Sequence, residues 1–302
     1  MKLTIDSSSP ALEQGEHFFY INGFTMHCYI RGNGPVALIP SPGWGPSVDY
    51  MMPLTALEDF CTVVYFDTRH SGKSTGPKDP SLYSLENFIA DIEALRKFLK
   101  QPKIFVAGHS GAGHQALAYG IACDERLYGI IAIDAIAAQD ELRFAEMSRR
   151  IAKKKNEPYY TSHPEYYNRA SELMRSPAKA QMTIKQIIDV TGGFYFYRPE
   201  LAKEAFNKME CNDDVLKYTQ EAAFQTKNLL PELHHITVPT LIISGEDDFM
   251  CDPISQAQRI HENISSSKLV IIKESGHMPW IEQPKAFNLA CQNWLEETFV
   301  LG

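Results

Sequence analysis

The chain has 302 residues, 44% hydrophobic and 22% charged, an ordinary balance for a globular protein with room for a large core. A formal net charge of −8 argues against a surface built for nucleic acid or an anionic membrane, and the one basic run, Lys153-Lys154-Lys155, reads as a solvated helix face. No apolar stretch approaches a membrane span, Met1 to Glu16 lacks a signal-peptide core, and six scattered cysteines form no C-x-x-C pair, so a cytoplasmic protein in a reducing compartment is expected.

In chain order, Phe18–Ile21, Asn22-Gly23 and Phe24–Ile30 predict a β-hairpin, because Asn-Gly is the strongest short signal for a two-residue turn. The apolar runs Val36–Ile39 and Cys61–Phe66 read as buried strands. Helix and strand then alternate: helix Leu85–Leu99, strand Ile104–Ala107, helix Gly113–Ala122, strand Leu127–Ile133. Such alternation indicates a mostly parallel sheet covered on both faces. Near Ala135 it stops, and about a hundred residues of helical character follow, carrying half of the fourteen tyrosines. The pattern resumes with strand Thr240–Ile243, a helix from Asp252, strand Leu269–Ile272 and an amphipathic helix Lys285–Phe299. The expected organisation is one α/β unit over 1–136 and 236–302, interrupted by a helical insertion over 137–235.

Gly108-His109-Ser110-Gly111-Ala112-Gly113 follows directly on a strand and opens a helix. A serine on so sharp a bend has its hydroxyl pushed out of the sheet, and small residues two before and two after let the backbone double back. Gly108 and Ala112 meet that need. The amides after the bend begin a helix, where negative charge is favoured. This is the machinery of acyl transfer, although a simple helix N-cap at Ser110 would look similar.

An acid and a histidine decide between the two readings. Ligands gather beyond the carboxyl ends of parallel strands, and two further loops lie there: Gly245-Glu246-Asp247-Asp248, and Glu274-Ser275-Gly276-His277. The order is therefore Ser, Asp, His. His277 is the base candidate of the ten histidines, while His109 and His114 adjoin the serine along the chain and read as packing or hydrogen-bonding residues. For the acid, Asp252 before Pro253 reads as a helix cap, and Asp248 is favoured over its neighbour Asp247. His234-His235 has no third ligand at a useful spacing, so no metal site is expected, and the chemistry calls for no cofactor.

The residues Asp67-Thr68-Arg69-His70-Ser71-Gly72-Lys73-Ser74 and Gly276-His277, with Glu282 and Pro284 downstream, resemble the D-x-R-G-x-G-x-S turn and the G-H-x-x-x-x-E-x-P pattern of the α/β-hydrolase superfamily. The likeness is to the branch that holds proline iminopeptidases and small esterases. His70 replaces a glycine of the first pattern. Ser41-Pro42-Gly43-Trp44-Gly45-Pro46 occupies the place of the family's oxyanion loop, with Ser41-Pro42 in place of His-Gly. Proline has no N–H to donate, so the resemblance implies an oxyanion hole from the N–H groups of Gly43 and Gly111. It also implies an α/β-hydrolase fold with an inserted cap, and a Ser110–His277–Asp248 triad that needs no cofactor. The substrate would be a small molecule or short peptide. Phe194, Tyr195 and Tyr197 of the cap are candidates to line its pocket, and Glu165, Glu200 and Glu204 are available to hold a free amino terminus. Two enzyme readings follow, a small esterase or lactonase and an aminopeptidase for N-terminal proline. A ligand receptor that keeps the fold is a third. The oligomeric state is not legible in the sequence.

Overall fold

The computed structural model describes residues 2–5, 12–207, 209–224 and 226–301. Strand β1 (Leu3–Ile5) runs parallel to β10 (Phe299–Leu301) in a two-stranded ribbon of its own. The patterning of the chain had not signalled this pair. It ends the last helix at Thr298, so Phe299 belongs to a strand and not to the helix expected there.

The main sheet has eight strands: β2 (Gly15–Ile21), β3 (Phe24–Arg31), β4 (Val36–Pro40), β5 (Thr62–Phe66), β6 (Ile104–His109), β7 (Leu127–Ile133), β8 (Thr240–Gly245) and β9 (Ser267–Ile272). Their order is β2-β3-β5-β4-β6-β7-β8-β9, and only β3 runs against its neighbours. Asn22 and Gly23, with φ of 50° and 85°, make the β2–β3 turn as expected, since a turn of this kind needs both central residues in the left-handed region.

Strand periodicity explains why both faces are buried. Leu38, Val64, Phe66 and Val106 point into one apolar layer with Phe88, Ile92 and Leu95 of α1 (Leu85–Phe98) and Ala116 and Leu117 of α2 (Gly111–Cys123). Their neighbours Ala37, Ile39, Val63, Tyr65 and Phe105 point the other way, onto Phe287, Cys291, Trp294 and Leu295 of the C-terminal helix Pro284–Thr298.

Between β7 and β8 the chain is helical: α3 (Glu141–Lys154), α4 (Pro158–Ser162), α5 (Pro164–Arg175), α6 (Ile184–Thr191), α7 (Ala202–Phe206) and α8 (Asp213–Glu221), joined by 3₁₀ turns. No strand of the sheet lies in this segment among the described residues. Its small core of Tyr160, Ala170 and Phe194 closes over Phe249, the residue after Asp248. Past Asp252 the chain first makes one π-type turn, Pro253–Ala257, and only then α9 (Gln258–Asn263). A short α10 (Pro279–Glu282) precedes the C-terminal helix, α11. Among the described residues, no helix is long and apolar enough to cross a membrane.

Candidate active site

Ser110 stands between β6 and α2 with φ 55° and ψ −115°, a conformation that costs a non-glycine residue of order 1–3 kcal/mol. Hydrogen bonds from both sides hold it there. Its N–H donates to the Ile133 carbonyl at 3.0 Å, and its own carbonyl accepts from His114 N at 3.1 Å. A Cβ on Gly108 would sit 2.2 Å from the Ala112 oxygen, so glycine is obligatory at that position. Helix α2 begins at Gly111, two residues earlier than its apolar pattern suggests, because the bend itself opens the helix.

Three aspartates compete on the loop after β8, and the structure separates them. Asp247 reaches outward to Lys153 Nζ at 2.9 Å. Asp252 caps the following turn, accepting from Ile254 N and Ser255 N at 2.9 Å each and from the Ser255 hydroxyl. Asp248 alone turns to His277, whose Nδ1–H donates to Oδ2 at 2.7 Å, with both side chains buried. Its other oxygen accepts from Met250 N at 2.8 Å. Burial works against the charge on Asp248, but His277 and the amides of Met250 and Cys251 outweigh it and hold this carboxyl below the usual range.

Asp134, at the end of β7, was not singled out by any sequence pattern. Its Oδ1 accepts from Gly245 N at 2.8 Å, while Oδ2 is buried without a partner. Burial and the adjacent Asp248 push its carboxyl well above the ordinary value. Two buried carboxylates side by side cannot both ionise. Burial and repulsion therefore favour the proton on Asp134 and the charge on Asp248.

His109 is a hydrogen-bonding residue, as its place beside the serine suggested. At the end of β6 it lies against the histidine loop, its ring 4.3 Å from that of His277. The Tyr50 hydroxyl donates to Nδ1 at 3.0 Å, and Nε2–H donates to the His277 carbonyl at 2.8 Å. Burial, then the nearby His277, drive its pKa far down, so it stays neutral and ties the loop of Tyr50 to that of His277. Glu282 supplies a second tie. It accepts from Gly276 N at 2.6 Å and from Tyr197 N and Arg198 N at 3.2 and 2.9 Å, joining the histidine loop to the helical segment. His277 N itself donates to the Tyr195 carbonyl at 2.6 Å. The Gly-His-x-x-x-x-Glu spacing contained this signal, but not its partners.

Among the described residues no hydrogen bond joins the Ser110 hydroxyl to His277. The hydroxyl rests against the Cys251 thiol, and Cys251 Sγ lies within 4.8 Å of ligand atoms of both Asp248 and His277. Burial, then Asp248, push the thiol well above its ordinary value, so it is a neutral neighbour. Asp248, Cys251 and His277, and separately His109, Asp134 and His277, have the donor types of a metal site. In both groups the histidine nitrogens named above are already committed to hydrogen bonds.

Gly43 has φ 86°, and a Cβ there would meet Phe224 at 2.8 Å and Gln115 at 2.9 Å. The loop that carries it is braced: Gln115 Nε2 donates to the Ser41 carbonyl at 3.1 Å, and Asp67 accepts from Val48 N at 2.7 Å and Lys73 N at 3.0 Å. Beside Asp67, Arg69 grips Asp91 through Nε and Nη2, both at 2.8 Å. The D-x-R turn is thus a scaffold under the loop. His70, in place of the pattern's glycine, takes φ 59° and carries the strain that glycine would avoid.

Of the three aromatic candidates, Tyr195 is the one beside the site, its ring 5.5 Å from that of His277. Phe194 is buried in the helical segment's own core. Tyr197 turns outward and is 42% exposed. Glu165, Glu200 and Glu204 are all exposed.

Residues 38–284 match the model of the alpha/beta hydrolase fold. The chain belongs to that family. This α/β-hydrolase is 26% identical over 316 aligned positions to a proline iminopeptidase of Saccharolobus solfataricus, covering 99% of this chain and 97% of the relative. Its fold matches a proline iminopeptidase of Mycobacterium smegmatis (TM-score 0.68, 16% identity, 93% and 98% of the two chains). It matches an enol-lactonase of Burkholderia xenovorans similarly (TM-score 0.63, 23% identity, 93% and 100%). An α/β-hydrolase enzyme is what the residues, the fold and these relatives support together.

Proposed function

We propose that this α/β-hydrolase is a serine hydrolase that cleaves a small carboxylic ester, lactone or amide through an acyl-enzyme. The observation that carries the reading is the strained Ser110 bend beside a buried His277–Asp248 pair bonded at 2.7 Å. The Ser110 hydroxyl turns from Cys251 to His277 Nε2, a rotation about one side-chain torsion. His277 takes the proton as the serine oxygen attacks the carbonyl carbon, and Asp248 keeps the imidazole in the Nδ1–H tautomer and balances its charge. The N–H groups of Gly43 and Gly111 hold the oxyanion. Collapse of the tetrahedral adduct expels the alcohol or amine, protonated by His277. Water then attacks the acyl-enzyme with the same base, and Ser110 is restored.

Residues 137–235 act as the cap in this reading, since Tyr195 and the Glu282 tie lie against the histidine loop. Ser110 is 8% exposed and His277 3%, in keeping with a roofed site for small substrates. The full-length likeness to proline iminopeptidases supports an aminopeptidase as the second reading. Nitrophenyl esters and proline arylamides assayed side by side separate the two. Ser110→Ala is expected to lose turnover by a factor on the order of a million, and a fluorophosphonate to label Ser110 stoichiometrically. Labelling of another residue refutes the assignment, and a single turnover without a second points to the receptor.

A further inference from the structure

Arg143 sits in the first turn of α3 and is 4% exposed. Every other buried arginine among the described residues grips a carboxylate: Arg69 holds Asp91, and Arg96 holds Glu93 through Nε and Nη2 at 2.8 and 2.7 Å. Arg143 holds none. Its Nη1 donates to Gln139 Oε1 at 2.8 Å, its Nη2 rests on the Met250 thioether at 3.1 Å, and its Nε is buried with no partner. A thioether sulfur is a weak acceptor, and a buried cation without a counter-charge is costly. The deficient edge is the Nε/Nη2 edge. That same edge makes both paired bonds of Arg69 to Asp91 and of Arg96 to Glu93, so it is shaped for a carboxylate.

The position of this edge is equally specific. Met250 is two residues past Asp248 and donates its N–H to that carboxylate, so the guanidinium lies on the loop that presents the acid. Its charge favours ionisation of both Cys251, beside Ser110, and Tyr195, beside His277. Met250 has an unbranched, flexible side chain that can yield to a ligand. Among the described residues, no buried carboxylate beside His277 stands ready to receive a cation instead. Glu282 is filled by three amides, Asp248 by His277, and the free oxygen of Asp134 faces Asp248.

We infer that Arg143 is a specificity residue that receives a carboxylate of the substrate on its Nε/Nη2 edge, displacing the Met250 thioether. The substrate class is therefore an ester or lactone bearing a second, free carboxylate, and a substrate with a free amino terminus is repelled. The inference rests on the serine-hydrolase reading and adds the substrate class to it.

Monoethyl succinate and its neutral analogue ethyl butyrate, hydrolysed by the full chain, provide the test, with free succinate as inhibitor. Wild type is expected to favour the monoester at least tenfold in kcat/KM and to be inhibited competitively by succinate. Arg143→Gln should lower that preference at least tenfold and weaken succinate inhibition to the same extent. If wild type shows no preference for the monoester, or proline arylamide is the better substrate, the inference is overturned, whether or not the variant folds. Retained fluorophosphonate labelling and ethyl butyrate turnover in that case leave the serine-hydrolase reading standing. Loss of both refutes that reading instead.

Discussion

Replacing Glu282 by glutamine changes one atom type and tests how the loop of His277 is held. The carboxylate has Oε2 on Gly276 N and Tyr197 N, and Oε1 on Arg198 N. An amide offers one oxygen. Placed toward Gly276, it turns an NH₂ group against Arg198 N, and flipped, it opposes two donors instead of one. The better orientation still loses one bond to a charged acceptor, worth about 1.5–3 kcal/mol. Burial holds the Glu282 carboxyl above its ordinary range despite its amide partners, so removing the charge returns part of that cost, and about 2 kcal/mol is the expected net loss. For a chain of this length that lowers Tm by about 4 °C. The larger effect is expected on kcat, because Gly276 leads directly into His277, and a displacement of about 1 Å at a reacting group can cost about a hundredfold. Circular dichroism melts and steady-state hydrolysis of nitrophenyl acetate measure both quantities. A variant with wild-type Tm and wild-type kcat would show that the carboxylate does not hold the histidine loop.

Asp248→Asn is expected to lose most turnover, since an amide cannot balance the imidazolium on His277, whereas Asp252→Asn still caps its turn and keeps kcat within a fewfold. If Asp252→Asn proves more damaging in steady-state assays, the acid is misassigned. His114 is buried with its Nδ1–H on the Ile136 carbonyl, and burial lowers its pKa to about 4. A base whose folded pKa is depressed is stabilising above the ordinary 6.5 and loses that contribution as pH falls toward 4, a span worth about 3 kcal/mol. His114→Gln, which can still donate to Ile136, should flatten urea-melt stability between those pH values, and an unchanged acid slope would count against it. Acyl-chain length gives another check: Ser110 is only 8% exposed, and if residues 137–235 roof it, kcat/KM on nitrophenyl esters should peak at short acyl groups. A steady rise to long chains would mean that the segment does not roof the serine.

Local signals carried the frame of this protein. The Asn22-Gly23 turn, the apolar strands and the Ser110 bend were legible because each depends on neighbours a few residues away, through turn dihedrals, side-chain alternation or the need for small residues at a bend. The Ser, Asp, His order was legible for the same reason, as each residue follows a recognisable strand. Adjacent residues on one loop were harder to rank. Asp248 stood out weakly from Asp247, and Tyr195 not at all from Tyr197, until the fold pointed them in opposite directions. Asp134 left no signal in the sequence, and neither did the ties made by His109 or the unpaired edge of Arg143; the Gly-His-x-x-x-x-Glu spacing marked Glu282 but not its partners Tyr197 and Arg198. Their partners are distant in the chain: Asp134 meets Gly245, His109 meets the His277 carbonyl, and Arg143 meets Met250. Backbone preferences act within a few residues, whereas the pairing and burial of a polar group are decided by whatever the sheet brings against it, and that is settled only when the chain has closed.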